Sequence, residues 1–305
     1  MSGPTLLALA YGLLAVFAVA FVLRSLRIQR MPVHLRWELA PVPREKGRGR
    51  YGGSYLEQYE WWKAPREESH AAELAYILKE VLFLKALWEH NRRLWWFSFP
   101  FHIGLYLLAA AAGLALLGGA AAAAGVAGPG WGVMRTGLPL LAGTAHALGA
   151  FGALGLLGSR LLDPRLKGIT TPLALVNLVL LAVLFATGAG AVLAVDDFPG
   201  RALRFAGALF TARPPATVPG ILAVHIVVAL AFLAYLPFSQ MMHFVAKYFT
   251  YHQVRWEDRP LEAGSPMDGE LAALLGQSPT WAAPHLGADG KRTWVDIASS
   301  KGDGK

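Results

Sequence analysis

Nine histidines occur in the chain. Four of them, His102, His146, His225 and His243, fall inside or at the ends of long apolar stretches. An ionisable side chain at hydrocarbon depth is costly and marks a functional site by default. Imidazole nitrogens from two facing helices can take both axial positions of a haem iron. His225 and His243 are eighteen residues apart. That is five whole turns, which returns both to one helix face about 27 Å apart along the axis. Pro237 lies between them and makes the shared face approximate.

The elements that must position these histidines are apolar. The chain has 305 residues, 55% of them hydrophobic and only 16% charged, with a mean hydropathy of +0.41. Five stretches, Leu6 to Leu23, Trp96 to Leu117, Leu138 to Leu157, Leu173 to Val195 and Ile221 to Met242, carry no charged residue in their central portions. Each is near the ~20 residues that a helix needs to cross a bilayer. The expected fold is an all-α integral membrane bundle of five transmembrane helices. The first stretch lacks a basic segment before it and is followed by Arg24, Arg27 and Arg30, so it reads as a retained helix rather than a cleaved signal.

Lys and Arg concentrate on cytoplasmic flanks. Residues 24–95 carry fourteen, 160–171 three and 244–305 seven, against one in 118–137 and three in 196–217. An outside amino terminus and a cytoplasmic carboxyl terminus therefore place 24 of the 28 basic residues inside. The net charge of +8 then reflects topology and anionic headgroups more than nucleic acid. The same topology pairs the histidines by depth. His102 begins the second helix and His243 ends the fifth, both near the cytoplasmic surface. His146, about two turns into the third helix, lies level with His225 near the outer surface. Histidines that merely bonded to backbone would not predict this pairing.

Four segments follow: helix one over 1–23, a cytoplasmic loop over 24–95, a four-helix haem-binding bundle over 96–243 and a cytoplasmic tail over 244–305. The loop opens with an aromatic, Pro- and Gly-rich part over 31–66, expected to be irregular but ordered. It continues with an amphipathic helix over 69–93, capped by Ser69, that lies on the membrane surface or a partner. The tail carries Trp281 and Trp294, which suggests docking on a soluble subunit. Glycines 143, 149, 152, 155 and 158 thin one side of helix three, for a porphyrin or for close helix packing. His34, His70, His90, His252 and His285 lie in the cytoplasmic segments and show no metal-site spacing. The chain has no cysteine, which excludes thiolate-bound iron-sulfur clusters, covalent c-type haem and disulfides within it.

Three stretches carry a resemblance: Phe101-His102-Ile103-Gly104; Ser159-Arg160-Leu161-Leu162-Asp163-Pro164-Arg165 with Thr170-Thr171; and His225 to His243 ending in Leu236-Pro237-Phe238-Ser239-Gln240-Met241-Met242-His243. Together they resemble the gamma-subunit family of respiratory nitrate reductase, five-helix dihaem cytochromes b. The family takes both remaining haem ligands from helix two, but the position ten residues after His102 is Ala112, and this chain offers His146 instead. That departure, the long first loop and Lys247-Tyr248-Phe249-Thr250-Tyr251-His252 with Val254-Arg255-Trp256 resemble the branch that accompanies heterodisulfide-reductase-like iron-sulfur proteins.

The resemblance implies a subunit of a quinone-linked oxidoreductase in a bacterial or archaeal cytoplasmic membrane. Two b haems, held by the pairs His102/His243 and His146/His225, would link menaquinone or another quinone to a cytoplasmic iron-sulfur partner. Quinol oxidation needs a proton acceptor near the outer surface. Arg135, Asp196 and Asp197 are the candidates there, with loop-end anchoring as their alternative role. A haem-free membrane anchor for a soluble oxidoreductase subunit is the competing function. A transporter would show intramembrane acids or broken, repeat-related helices, which the sequence lacks.

Overall fold

A computed structural model describes residues 1–31, 59–60, 63, 70–126, 130–255, 262–279 and 289–300. Most of the aromatic loop segment, with His34, and also Ser69, Trp281 and His285 lie outside the described residues. The described residues form twelve α-helices and no strand. Five helical segments are long and apolar enough to cross a membrane: Gly3–Gln29, Arg92–Ala123, Trp131–Leu162, Pro172–Ala194 and Gly220–Phe238. The chain is a multi-pass, all-α membrane protein. It divides into two compact units, Met1–Phe21 with Ile77–Ser239, and Val22–Tyr76 with Gln240–Lys305.

In the first unit, α4 (Arg92–Ala123), α5 (Gly130–Leu162), α7 (Pro172–Ala194) and α9 (Gly220–Tyr235) pack in sequence, α4 on α5, α5 on α7 and α7 on α9. The 4-residue α6 (Pro164–Lys167) turns α5 back towards α7, as its short length requires. Asp163 caps α6 by accepting from Arg165 N–H, and Thr171 caps α7 by accepting from Ala174 N–H. Arg93 at the start of α4 reaches Asp163 at 3.8 Å, so these turns share one border of the bundle. Leu6 and Ala10 of α1 (Gly3–Gln29) join Ala111, Leu138, Ala142, Ala191 and Leu222 in one buried cluster. The start of α1 is also tied to the chain before α9, with Gly3 N–H donating to Ala216 O at 3.3 Å and Tyr11 Oη donating to Leu209 O at 2.9 Å.

Several boundaries differ from the sequence expectation. The Ala/Gly-rich stretch after Leu117 stays helical to Ala123, because alanine is the best helix former. Within residues 196–217, a stretch for which the sequence suggested no element, α8 (Phe198–Thr211) occupies most positions and buries Phe198, Leu203, Phe205 and Ala206. It packs so closely on α4 that a Cβ built on Gly119 would lie 2.5 Å from Gly207 N. The amphipathic stretch is two helices, α2 (His70–Phe83) and α3 (Lys85–His90), broken at Leu84, whose φ of 50° cannot continue a helix. Glu80, 6% exposed, caps α3 by accepting from Ala86 N–H at 3.0 Å. Tyr106 Oη donates to Val81 O at 2.9 Å, which holds this segment against α4, while Leu78, Leu82 and Phe83 stay exposed.

The fifth span is not one helix through to His243. The α-helix ends at Tyr235 and gives way to 3₁₀ turns, Leu236–Phe238 and Gln240–Met242, separated by extended Ser239. Pro237 lacks the N–H that an α-helix needs there. The five-turn face shared by His225 and His243 therefore does not exist, and His243 instead opens α10 (His243–Arg255) in the second unit. In that unit, Ser265 caps α11 (Pro266–Leu275), and Thr293 and Asp296 form a capping box on α12 (Trp294–Ser299). Trp294 N–H donates to Gln277 O at 3.0 Å, which ties the start of α12 to the turn after α11.

Candidate functional site

His146 on α5 and His225 on α9 are brought together. Their ring centroids lie 5.0 Å apart with planes at 87°, edge to face. His146 is 1% exposed, and His225 is half-buried. Gly188 on α7 makes the space, since a Cβ there would run into the His146 ring. Phe185 closes the adjacent side at 6.1 Å between centroids.

The two rings are held differently. His225 Nδ1 lies 3.3 Å from Thr187 Oγ1, whose hydroxyl donates to Val183 O at 2.8 Å. With its own hydrogen on a carbonyl, the hydroxyl can accept from His225 Nδ1–H, a role shared by the Leu184 carbonyl, and either bond leaves the ring lone pair on Nε2. Ring orientation by such a partner is what metal-ligating histidines usually have. His146 Nδ1 is buried with no hydrogen-bond partner. A buried polar atom without a partner is costly and asks for a physical reason. Two imidazoles from facing helices suit haem iron, because the porphyrin supplies the other four nitrogens. They do not suit zinc, which takes three or four protein ligands. No group of three or more His, Asp or Glu side chains is gathered among the described residues.

His102 on α4 is half-buried, and its Nδ1–H donates to Ser98 O at 2.7 Å, so its Nε2 also carries the ring lone pair. His243 is exposed at the start of α10, and its Nδ1 lies 3.3 Å from Gln240 O. The two belong to different compact units.

Arg135 and Asp197 form an ion pair at 2.6 Å, and Arg204 reaches the other oxygen of Asp197 at 3.4 Å. Arg201 donates to the backbone carbonyl of Asp196 at 2.9 Å. These contacts join the start of α5 to the start of α8.

Three glycines of α5, Gly149, Gly152 and Gly155, serve helix packing, whereas Gly143 and Gly158 meet no close neighbour. A Cβ on Gly149 would run into the Phe185 ring, one on Gly155 into the Phe97 ring, and one on Gly152 would lie 2.5 Å from Phe101 Cβ. The roles of Thr187, Gly188 and Ser98 were not evident in the sequence. A Thr-Gly pair inside an otherwise aliphatic span was the available signal for the first two.

Among known proteins, the family model described as the nitrate reductase gamma subunit matches residues 86–257, more than half of the chain. No curated protein and no solved structure matches.

Proposed function

The chain belongs to the nitrate reductase gamma-subunit family, and on that premise we propose that it carries electrons between membrane quinone and a cytoplasmic iron-sulfur partner. Members of the family are membrane cytochrome b subunits of respiratory oxidoreductases. The observation that carries the proposal for this chain is the His146/His225 pair on facing helices, with a partnerless buried Nδ1 on one ring and a hydroxyl-oriented Nδ1 on the other. These two histidines would hold one b haem, and His102 and His243 a second. Bound there, haem supplies reversible one-electron chemistry.

The chain's own residues supply the rest. Thr187 fixes the tautomer of His225, and Ser98 fixes that of His102. Menaquinone or another quinone would react on the side of the membrane where Arg135, Asp196 and Asp197 lie. The topology proposed is amino terminus outside and carboxyl terminus cytoplasmic, in a bacterial or archaeal inner membrane. The tail, with its helices α11 and α12, would then meet the iron-sulfur subunit, of heterodisulfide-reductase-like type.

A reduced-minus-oxidised optical spectrum of the purified chain, with haem quantified per polypeptide, tests the proposal. Two b haems per chain are expected. A chain purified without haem from haem-replete cells would leave only the membrane-anchor function standing.

A further inference from the structure

We propose that the border between α4, α5 and α8 is a binding site for the phosphate of an anionic phospholipid. The inference requires only that the chain spans a membrane and does not depend on the haem reading. A cavity of about 300 Å³ opens where α4 ends, α5 begins and α8 crosses them, and Arg135, Arg204 and Arg213 line it beside Trp131, Leu203 and Thr211.

The charge of this cavity is one-sided. None of the residues lining it is acidic. Asp197, which pairs with Arg135 and Arg204, is not part of the lining and holds those two guanidinium groups from outside it. Gly200 at the base of α8 permits this, since a Cβ there would collide with the Asp197 carboxylate. Arg213 forms no ion pair among the described residues and adds a third positive group. The carboxyl end of α4 brings only about half a negative charge, and the amino end of α5 offsets it with a similar positive one. Guanidinium groups match phosphate oxygens in geometry and in charge.

The position selects a lipid over a dissolved anion. Trp131 stands at the first turn of the membrane-spanning part of α5, where amphipathic aromatic rings favour the headgroup level. Leu203 and the small residues of α4 and α8 give the cavity an apolar side, against which glycerol and the first acyl carbons can lie.

The test is native mass spectrometry of the full chain, stripped of lipid in detergent and titrated with phosphatidylglycerol, phosphatidylcholine and sodium phosphate in parallel. One tightly held phosphatidylglycerol per chain is expected. Phosphatidylcholine, whose choline cancels the charge, should bind weakly, and sodium phosphate should not displace the lipid. The double variant Arg204→Gln/Arg213→Gln should bind phosphatidylglycerol at least about ten-fold more weakly, the loss of a charge-assisted contact or more. Arg201→Gln removes one charge from the same helix at a residue outside the cavity and should keep native affinity. Equal binding by native and double-variant protein overturns the proposal. An Arg201→Gln loss as large as that of the double variant also overturns it, because net charge would then be the cause. Saturation by sodium phosphate with no retained lipid overturns the lipid assignment. Circular dichroism checks folding, and if the double variant is not helical, Arg213→Gln alone decides by the same comparison.

Discussion

The imidazole of His146 on α5 meets that of His225 on α9 edge to face, with ring centroids 5.0 Å apart and planes at 87°. Residues on neighbouring helices make that contact possible. Gly188 gives the His146 ring its volume, Thr187 holds His225, and the α4–α5 packing sets the depth of α5. At that packing, a Cβ on Gly104 would lie 2.5 Å from Gly149 N.

If the pair holds one haem, His146→Ala and His225→Ala each remove the same one. The expected haem content falls from two per chain to one in either variant, with identical residual spectra. His146→Ala that retained two haems would assign the axial position to another residue.

Thr187→Val keeps the side-chain shape and removes the hydroxyl that accepts from His225 Nδ1–H. A ligand imidazole that loses such an acceptor becomes a weaker donor to iron. The haem held by His225 should be retained with its midpoint potential raised, and Thr187→Ser should restore the native value. Redox potentiometry followed at the haem absorption band reads both. An unchanged potential in Thr187→Val would mean that the 3.3 Å contact does not orient the ring.

Two glycines of the same helix should respond oppositely to one methyl group. Gly149→Ala forces the Phe185 ring to move, and overpacking of this kind costs about 1–3 kcal/mol. At Gly158 nothing lies within 4 Å of an added Cβ, so Gly158→Ala should be neutral or stabilising. Thermal unfolding in detergent separates the two. Equal loss in both would show that the contact of Gly149 with Phe185 is not what makes an added methyl group costly.

The tail helix α12 should depend on pH through Asp296. The Thr293 hydroxyl donates to its carboxylate at 2.7 Å and the Thr293 N–H donates at 2.8 Å, and these bonds hold the Asp296 pKa below its ordinary 3.8. A depressed carboxyl pKa contributes stability that is complete above the unfolded value and is lost as pH falls through the folded one. Hydrogen exchange over 294–299 in the full chain, corrected for intrinsic rates, should therefore be flat from pH 7 to about 4 and rise below it. Asp296→Asn should remove that pH step. A step of the same size in Asp296→Asn would point to another group.

The spans were legible in the sequence because an uncharged apolar run of about 20 residues matches the hydrocarbon thickness of a bilayer. The His146/His225 pair followed from depth alone. Neither inference needs side-chain detail. The break after Tyr235 was signalled by Pro237, but a proline can also kink a helix that continues, and only the extended backbone of Ser239 separates those outcomes. The left-handed turn at Leu84 had no sequence mark, because leucine there is a good helix former and the conformation is imposed by packing on α4 and by the Glu80 cap. Helix α8 was hidden by its length, since 14 residues are too few to cross a membrane. The glycines of α5 were compatible with porphyrin access and with helix packing alike; the contacts of Gly149, Gly152 and Gly155 with Phe185, Phe101 and Phe97 favour packing at those three positions.

The anchoring of α1 also sets a schedule for biogenesis. Tyr11 reaches its acceptor, Leu209, across a sequence separation of 198 residues. Position 3 fits under Pro215 only without a side chain. At synthesis rates of about 5–20 residues per second, the first helix waits on the order of 10–40 s for the segment that receives it. During that interval α1 can already pack on Ala111, Leu138 and Ala142, but the bond of Tyr11 and the close fit of Gly3 form only once the segment around Leu209 and Pro215 has been made.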